Sequence, residues 1–425
     1  MKKGFKIVLL STIAMLFFSI PSSPYPIDGY DYTKINRLYR LELIMSGEIK
    51  DTKPVSGAQK SIKDIKLNLL NSKGDSLVVL PEPDREFQKS INNLFPKLDE
   101  NYSITVLDIT PGRKIRFASR KEKSQYQPGS VGKIAVAAGF FTELSKIYPN
   151  SFAKRNELLK TKFVRAGKWA MYDEHTVPIF NVETRKFVKR TVVESDVFSL
   201  YEWLDNMLSV SNNGAASVCW REAILMRVYG AAYPNLSEEE ANNYFATTPK
   251  AELSTIAISV VNQPLRDLDI SENEWRLGTF FTKGAGSYIP GKGGSTGTTV
   301  GLMKFLTAME RGKVVDKESS LEIKRLLYMT DRRIRYASAP ALTTAAVYFK
   351  SGSLYKCKPE EDYTCAKYKG NVDNYMNSVA IVEHNDGTTY LVVLMSNVLK
   401  KNSASDHAAL AASIDRICKA YPGPK

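Results

Sequence analysis

Ser130 and Lys133 stand three positions apart at the head of an apolar run, Gly129-Ser130-Val131-Gly132-Lys133-Ile134-Ala135-Val136-Ala137-Ala138. On a helix that spacing puts both side chains on one face. A serine hydroxyl is a weak nucleophile until a neighbouring base takes its proton. A lysine that is desolvated, or that lies beside another cation, loses its own proton near neutral pH and serves as that base. The helix N-terminus aims backbone N–H groups at the same place. Ser-x-x-Lys occurs twice more, at Ser151–Lys154 and Ser353–Lys356, so spacing alone does not choose. Context singles out Ser130: it follows a hairpin signal, opens an apolar helix and precedes two further motifs.

The first of these is Ser211-Asn212-Asn213, a polar loop between two helical segments that can turn side chains into a cleft. Serine and asparagine are also common helix N-caps, and that reading stays open. The second is Lys350-Ser351-Gly352 at the end of the strand-like run Ala345–Phe349. Lys350 offers a positive charge, Ser351 a donor, and Gly352 lets a substrate backbone come close.

The elements that must carry these residues are legible in the pattern. Phe87, Ile91, Leu94 and Leu98 recur at helical spacing. Runs 103–108 and 114–118 around Pro111-Gly112 predict one strand pair, and runs 377–384 and 389–396 around Asp386-Gly387 predict another. Helical segments are expected near 130–141, 198–208, 214–229, 250–262, 299–311, 317–330 and 404–420. Strands at both ends with helices between them predict an α+β fold: an antiparallel sheet flanked by helices, with an all-helical half inserted between its strands.

The chain has 425 residues, an ordinary apolar fraction of 43%, 19 Pro and 25 Gly, which excludes disordered and collagen-like chains. Lys2, Lys3 and Lys6 precede an uncharged run from Ile7 to Ile20 and then Pro21-Ser22-Ser23-Pro24. This reads as a secretory signal over 1–23, too short to span a bilayer, with an uncleaved anchor as the alternative. An exported chain, periplasmic or extracellular, is expected, with no membrane span after signal removal. Its removal takes away three lysines and no acid, so the net charge falls from +14 to +11. That field favours anionic envelope polymers, though a solvated lysine-rich surface explains it as well. Nucleic acid is not expected as a partner of an exported chain.

Residues 24–84 read as an N-terminal extension joined through Leu80-Pro81-Glu82-Pro83-Asp84, and 85–425 as the main domain. Export permits disulfides. Cys357 and Cys365 flank a short polar stretch and are the expected pair, while Cys219 and Cys418 complete the set and buried free thiols are the alternative. Three histidines without His-x-x-x-His spacing and no Cys-x-x-Cys predict no metal and no cofactor. His175 reads as a surface histidine. Two patterns are decoys. Gly293–Gly297 fits Gly-x-Ser-x-Gly around Ser295, with His384 and His407 downstream, but a loop precedes it rather than a strand. Gly286–Lys292 nearly fits a phosphate loop but lacks the following Ser or Thr.

Ser-x-x-Lys, Ser-x-Asn and Lys-Ser-Gly in that order resemble the penicillin-recognising serine enzymes, the serine β-lactamases and D,D-peptidases, over about Arg85–Tyr421. The stretch Ser295–Met329 is similar to the helical segment before the third motif in class A β-lactamases. The resemblance implies that Ser130 attacks an amide or lactam carbonyl and that Lys133 assists proton removal. It implies further that Ser211 relays a proton to the leaving nitrogen and Asn213 holds the substrate's side-chain amide. Lys350 and Ser351 would bind its carboxylate, Gly352 would admit it, and the N–H groups of Ser130 and Ser353 would form the oxyanion hole. In Glu274-Trp275-Arg276-Leu277-Gly278, Glu274 would correspond to the deacylating glutamate, with Glu272 a competitor and an exposed charged loop the plain alternative; Gly278 replaces the asparagine that would help hold the water, and the intervals between motifs are wider than in compact class A enzymes. The function implied is β-lactam ring opening through a Ser130 acyl-enzyme. The alternatives are a D,D-carboxypeptidase or transpeptidase acting on peptidoglycan stem peptides, and a non-catalytic envelope-binding protein of the same fold. The expected partner is a β-lactam or a stem peptide, and a monomer is expected.

Overall fold

The computed structural model describes residues 28–330 and 333–421, so the expected signal segment 1–23 lies outside the described residues. In chain order the elements that matter are helix α1 (Asn36–Ser46), α2 (Arg85–Asn92), strands β1 (Tyr102–Asp108) and β2 (Arg116–Arg120), helices α3 (Lys133–Ile147), α4 (Leu200–Leu208), α5 (Asn213–Tyr229), α6 (Lys250–Arg266), α7 (Thr299–Glu310) and α8 (Lys317–Tyr328), strands β3 (Ala346–Lys356), β4 (Asp373–Glu383) and β5 (Thr389–Asn397), and helix α9 (Ala404–Ala420). The strands form a five-stranded antiparallel sheet in the order β2-β1-β5-β4-β3. The helical half, α3 to α8, is inserted between β2 and β3, so the architecture is the α+β arrangement read from the sequence.

Strand alternation divides the sheet residues between two cores. Leu107, Phe117, Tyr348, Val379, Ile381, Leu391, Val393 and Met395 pack against the helical half. Val106, Ala118, Val347, Phe349, Ala380, Val382, Val392 and Leu394 pack against α2 and α9. Successive side chains point to opposite faces of a strand, and here both faces are covered. Helix α3 is buried on nearly every side, as an apolar-all-round helix must be. Gly139 lets it approach α6, where a Cβ would lie 2.6 Å from the Val260 carbonyl oxygen.

Two expectations need correction. The segment expected as an N-terminal extension is no separate unit over its described residues, 28–84: Ile35, Leu38, Leu41, Ile65, Leu69 and Leu77 belong to the same core as α3. The Arg37 guanidinium pairs with Asp205 of α4 and donates to the Met329 carbonyl at 2.9 Å. A run of short helices and polar residues finds its place only by docking on the larger domain. The strand expected to end at Phe349 instead continues to Lys356, because its partner β4 pairs with it along its whole length. Cys357 and Cys365 form the expected disulfide in the β3–β4 connection, and Cys219 and Cys418 are buried free thiols.

Candidate active site

Ser130 lies in a 3₁₀ turn, Gly129–Gly132, and α3 begins at Lys133. Residues i and i+3 eclipse in a 3₁₀ turn, which brings Lys133 Nζ to 2.9 Å from Ser130 Oγ. Two glycines permit the turn to lie against β3. A Cβ on Gly352 would meet the Pro128 carbonyl oxygen at 2.3 Å and the Ser130 nitrogen at 3.0 Å, and one on Gly129 (φ +53°) would meet the Ser353 nitrogen at 2.8 Å. The buried Asn377 side chain on β4 clamps the same turn, donating to the Gln127 and Pro128 carbonyls at 2.8 and 3.1 Å.

The Ser211–Asn213 loop closes the other side. Asn212 is the N-cap of α5, accepting from the Ala215 N–H at 2.6 Å. Its neighbours do the rest: Ser211 adopts a left-handed φ of 66°, and its carbonyl oxygen accepts from Lys133 at 2.6 Å. Lys133 also donates to Asn213 Oδ1 at 2.7 Å and approaches Ser211 Oγ at 3.3 Å. Helix capping and contact with Lys133 thus fall on successive residues of one loop.

Lys133 is fully buried, and every oxygen it bonds is uncharged. Burial lowers its ammonium to about 7, with Asp173 only partly opposing the shift. Lys350, also buried, donates to Ser211 Oγ and to the Ser351 carbonyl, each at 2.8 Å. Burial, followed by the charges of Lys133 and Arg335, pushes its ammonium well below the ordinary lysine value. Arg335 itself donates to the Gly352 carbonyl at 2.7 Å. The result is a pocket lined by hydroxyls and by the basic side chains of Lys350 and Arg335.

Two adjoining cavities, of about 250 and 500 Å³, share Ser130, Ser353, Glu174, His175, Lys367 and Tyr368. The smaller includes Ser211, Lys350, Ser351, Gly352 and Arg335, and the larger includes Asn213, Leu277 and Phe281. The structure therefore brings together Ser130, Lys133, Ser211, Asn213, Lys350, Ser351, Gly352 and Ser353. It does not bring Glu274. That carboxylate accepts from Lys304 at 2.7 Å and from the Ser271 N–H at 2.8 Å. Burial alone would raise its pKa, but those two partners hold it below the usual carboxylate range. The side chains nearest Gly132 are apolar: a Cβ there would meet Leu277 and Phe281, both lining the larger cavity, at 2.6 and 3.5 Å.

Asn213 lines the larger cavity and is also held from within the protein. Its Nδ2 donates to Asp173 Oδ1 at 3.1 Å while its Oδ1 serves Lys133, so both ends of the amide have partners inside the protein. The sequence reading missed Asp173, Asn377 and Arg335, which lie in no motif, and it left His175 on the surface. The decoys fall away on their contacts. Ser295 accepts from the Gly278 N–H at 3.1 Å. His384 pairs with Asp415 at 2.6 Å, and His407 is buried between Ser378 and Ser396. Among the described residues, no group of His, Cys, Asp and Glu could hold a metal ion.

The model of the β-lactamase enzyme family matches residues 86–421. The chain belongs to that family. It is a β-lactamase-like serine hydrolase. A β-lactamase from Chitinophaga pinensis superposes with a TM-score of 0.51 at 13% identity, over 78% of this chain and 98% of that one, and shows the fold this family member adopts. A class A β-lactamase from Bacteroides cellulosilyticus gives a TM-score of 0.49 at 14% identity, over 79% and 98% of the two chains. No curated protein matches the chain by sequence.

Proposed function

We propose that Ser130 opens β-lactam rings by forming an acyl-enzyme, with Lys133 as its base. The observation that carries this is a fully buried lysine, its ammonium lowered to about 7, at 2.9 Å from the Ser130 hydroxyl. Near neutral pH about half of such a lysine is unprotonated and accepts the serine proton as Oγ bonds to the carbonyl carbon. The substrate carboxylate would sit against Lys350, Arg335 and Ser351. The N–H groups of Ser130 and Ser353 would receive the oxyanion, a contribution worth about 10²–10³ in rate per donor. Ser211, which touches both lysines, would pass a proton to the leaving nitrogen as the amide bond breaks.

The Cys357–Cys365 disulfide and the basic head of the sequence support an exported protein working in an oxidising compartment. Intact-mass spectrometry of the protein mixed with a penicillin, followed over time, tests the main reading. An adduct on Ser130 that decays as hydrolysed penicillin accumulates is the expected result. An S130A variant that still hydrolyses penicillin would overturn it.

One observation favours a second reading. The apolar side chains of Leu277 and Phe281 lie nearest Gly132 and line the larger cavity, while Glu274 is held by Lys304. This suits a long-lived acyl-enzyme and a peptidase acting on stem peptides. An adduct that persists for hours, with release of terminal D-alanine from a stem peptide, would establish that reading instead.

A further inference from the structure

With Glu274 outside the cleft, the water that hydrolyses the acyl-enzyme needs another base. The segment Asp173–His175, between the Lys168–Ala170 turn and the strand Thr176–Phe180, brings one to the cleft. Asp173 is nearly fully buried, with 4% of its side chain exposed, whereas His175 is 45% exposed. The carboxylate accepts from the Asn213 N–H at 2.6 Å, the Gly214 N–H at 3.3 Å and the His175 N–H at 3.2 Å. It therefore closes the N-terminus of α5 and is fixed in place.

The same Asp173 Oδ1 lies 2.6 Å from His175 Nδ1. A carboxylate on Nδ1 selects the tautomer that carries its proton there. Nε2 is then left as the free acceptor, and His175 lines both cavities that contain Ser130. Asp173 Oδ1 also accepts from Asn213 Nδ2 at 3.1 Å, and the Asn213 amide oxygen accepts from Lys133. Asp173 thus orients the imidazole and, through Asn213, the nucleophile's base. Glu174 lines the same cavities but has no hydrogen-bond partner among the described residues, so nothing fixes its orientation.

We propose that His175 is the catalytic base for hydrolysis of the Ser130 acyl-enzyme, with Asp173 as its positioning residue. This rests on the acyl-enzyme reading above. Nε2 takes a proton from water as the water oxygen bonds to the acyl carbon. When the tetrahedral adduct collapses, the bond from that carbon to Ser130 Oγ breaks. The imidazolium returns its proton to Oγ, leaving free serine and the ring-opened acid. Carboxylate, imidazole and water in this order are a general way to make a base near neutral pH.

The experiment is the time course of the penicillin adduct, by intact mass, in wild type, H175A, D173N and E174Q. Because His175 is half-exposed, H175A should fold normally. Adduct formation in H175A should be close to that of wild type, and its adduct should live about 10²-fold longer or more. Imidazole added at tens of millimolar should shorten that lifetime about tenfold or more in H175A and leave wild type unchanged. A purely structural role would not respond to imidazole. D173N should lengthen the lifetime less and should also slow adduct formation, since Asn213 and Lys133 lean on Asp173.

If wild type sheds its adduct and H175A sheds it equally fast, this inference fails while the acyl-enzyme reading stands. A long-lived adduct in E174Q with H175A unaffected would assign the base to Glu174 and overturn the proposal. A wild-type adduct that never decays overturns hydrolysis and this inference together. If no adduct forms on wild type at all, the acyl-enzyme reading itself falls.

Discussion

Lys133 and Lys324 are both withdrawn completely from solvent, yet the molecule uses them in opposite ways. In the cleft, Lys133 Nζ meets the Ser130 hydroxyl, the Ser211 carbonyl and the Asn213 amide oxygen. None of these is charged, and burial lowers the ammonium to about 7. On α8, Lys324 sits between Glu310 at 2.5 Å and Glu383 at 2.7 Å and donates to the Lys66 carbonyl at 2.6 Å. Burial pulls that ammonium down as well, but Glu310 and then Glu383 outweigh it, and its pKa ends above the ordinary lysine value. Glu383, shared with Lys60 and Asn68, is held at about 2 against the effect of its own burial, by Lys324 first and Lys60 next. Burial alone therefore does not make a base. Burial among neutral oxygens does, whereas burial between carboxylates makes a structural cross-link, here the one that ties the 60–68 segment to the main domain.

Removing Lys133, the base proposed above, should give the largest effect on activity. K133A should slow formation of the penicillin adduct by about 10²–10⁴-fold, measured by intact mass or stopped flow. Its melting temperature near pH 7 should be no lower than that of wild type, because the fold is relieved of a buried ammonium. A K133A protein that melts early and still acylates would break the comparison.

The reverse pattern is expected at the cross-link. K324M should lose about 3–5 kcal/mol of stability, since two buried carboxylates lose their counter-charge. Urea unfolding measures this. The folded fraction should acylate within about threefold of the wild-type rate, and a loss of activity beyond that would mean the cluster reaches the site.

The two lysines should also part in their pH dependence. With Lys133 as the proposed base, adduct formation should fall about tenfold per pH unit below about 7 and level off above it. Lys324 has a raised pKa, so its stabilising contribution is complete below the ordinary lysine value and is lost only as the pH rises through the folded value. Glu383 has a lowered pKa, so its share is present above about 4.5 and is lost as the pH falls toward about 2. Unfolding measured from pH 3 to 9 should therefore show an acid-side loss that adduct kinetics at neutral pH do not share. The smallest effect belongs to E274Q. Its Lys304 pair is about one-third exposed on the lysine side, so stability should change by less than about 1 kcal/mol. The adduct lifetime should stay within about twofold of wild type, and a large increase would return Glu274 to the mechanism.

The elements were readable where the pattern is local. The apolar period of α3, the Asp386-Gly387 hairpin and the order of Ser130, Ser211 and Lys350 all lie in short stretches of chain, and the observed helices and strands follow them closely. The strand pairs 163–165 with 197–199 and 176–180 with 187–191 were missed. They are short, and only four of their sixteen residues are buried, so they carry little alternation to read. Glu274 was misplaced because Glu-x-x-Leu is a weak spacing signal, and Lys304, on α7, decides its position. Asp173 and His175 were passed over because a charged tetrapeptide looks the same whether its carboxylate faces solvent or closes a helix.

By itself the sequence determined the long helices around Ser130 and the two hairpins of the main sheet, that Ser130 and Lys133 share one face, and that Cys357 and Cys365 lie close enough along the chain to join. These depend on neighbours within a few positions, where backbone geometry leaves few choices. Only the tertiary structure decided that Lys133 loses its solvent, that its partners come from a loop 78 positions away, and that Arg335 and Asn377 brace the same strand and turn. It alone decided that Asp173 hands His175 to the cleft. A pKa is set by everything within a few ångströms, and in this fold those few ångströms are filled by distant parts of the chain.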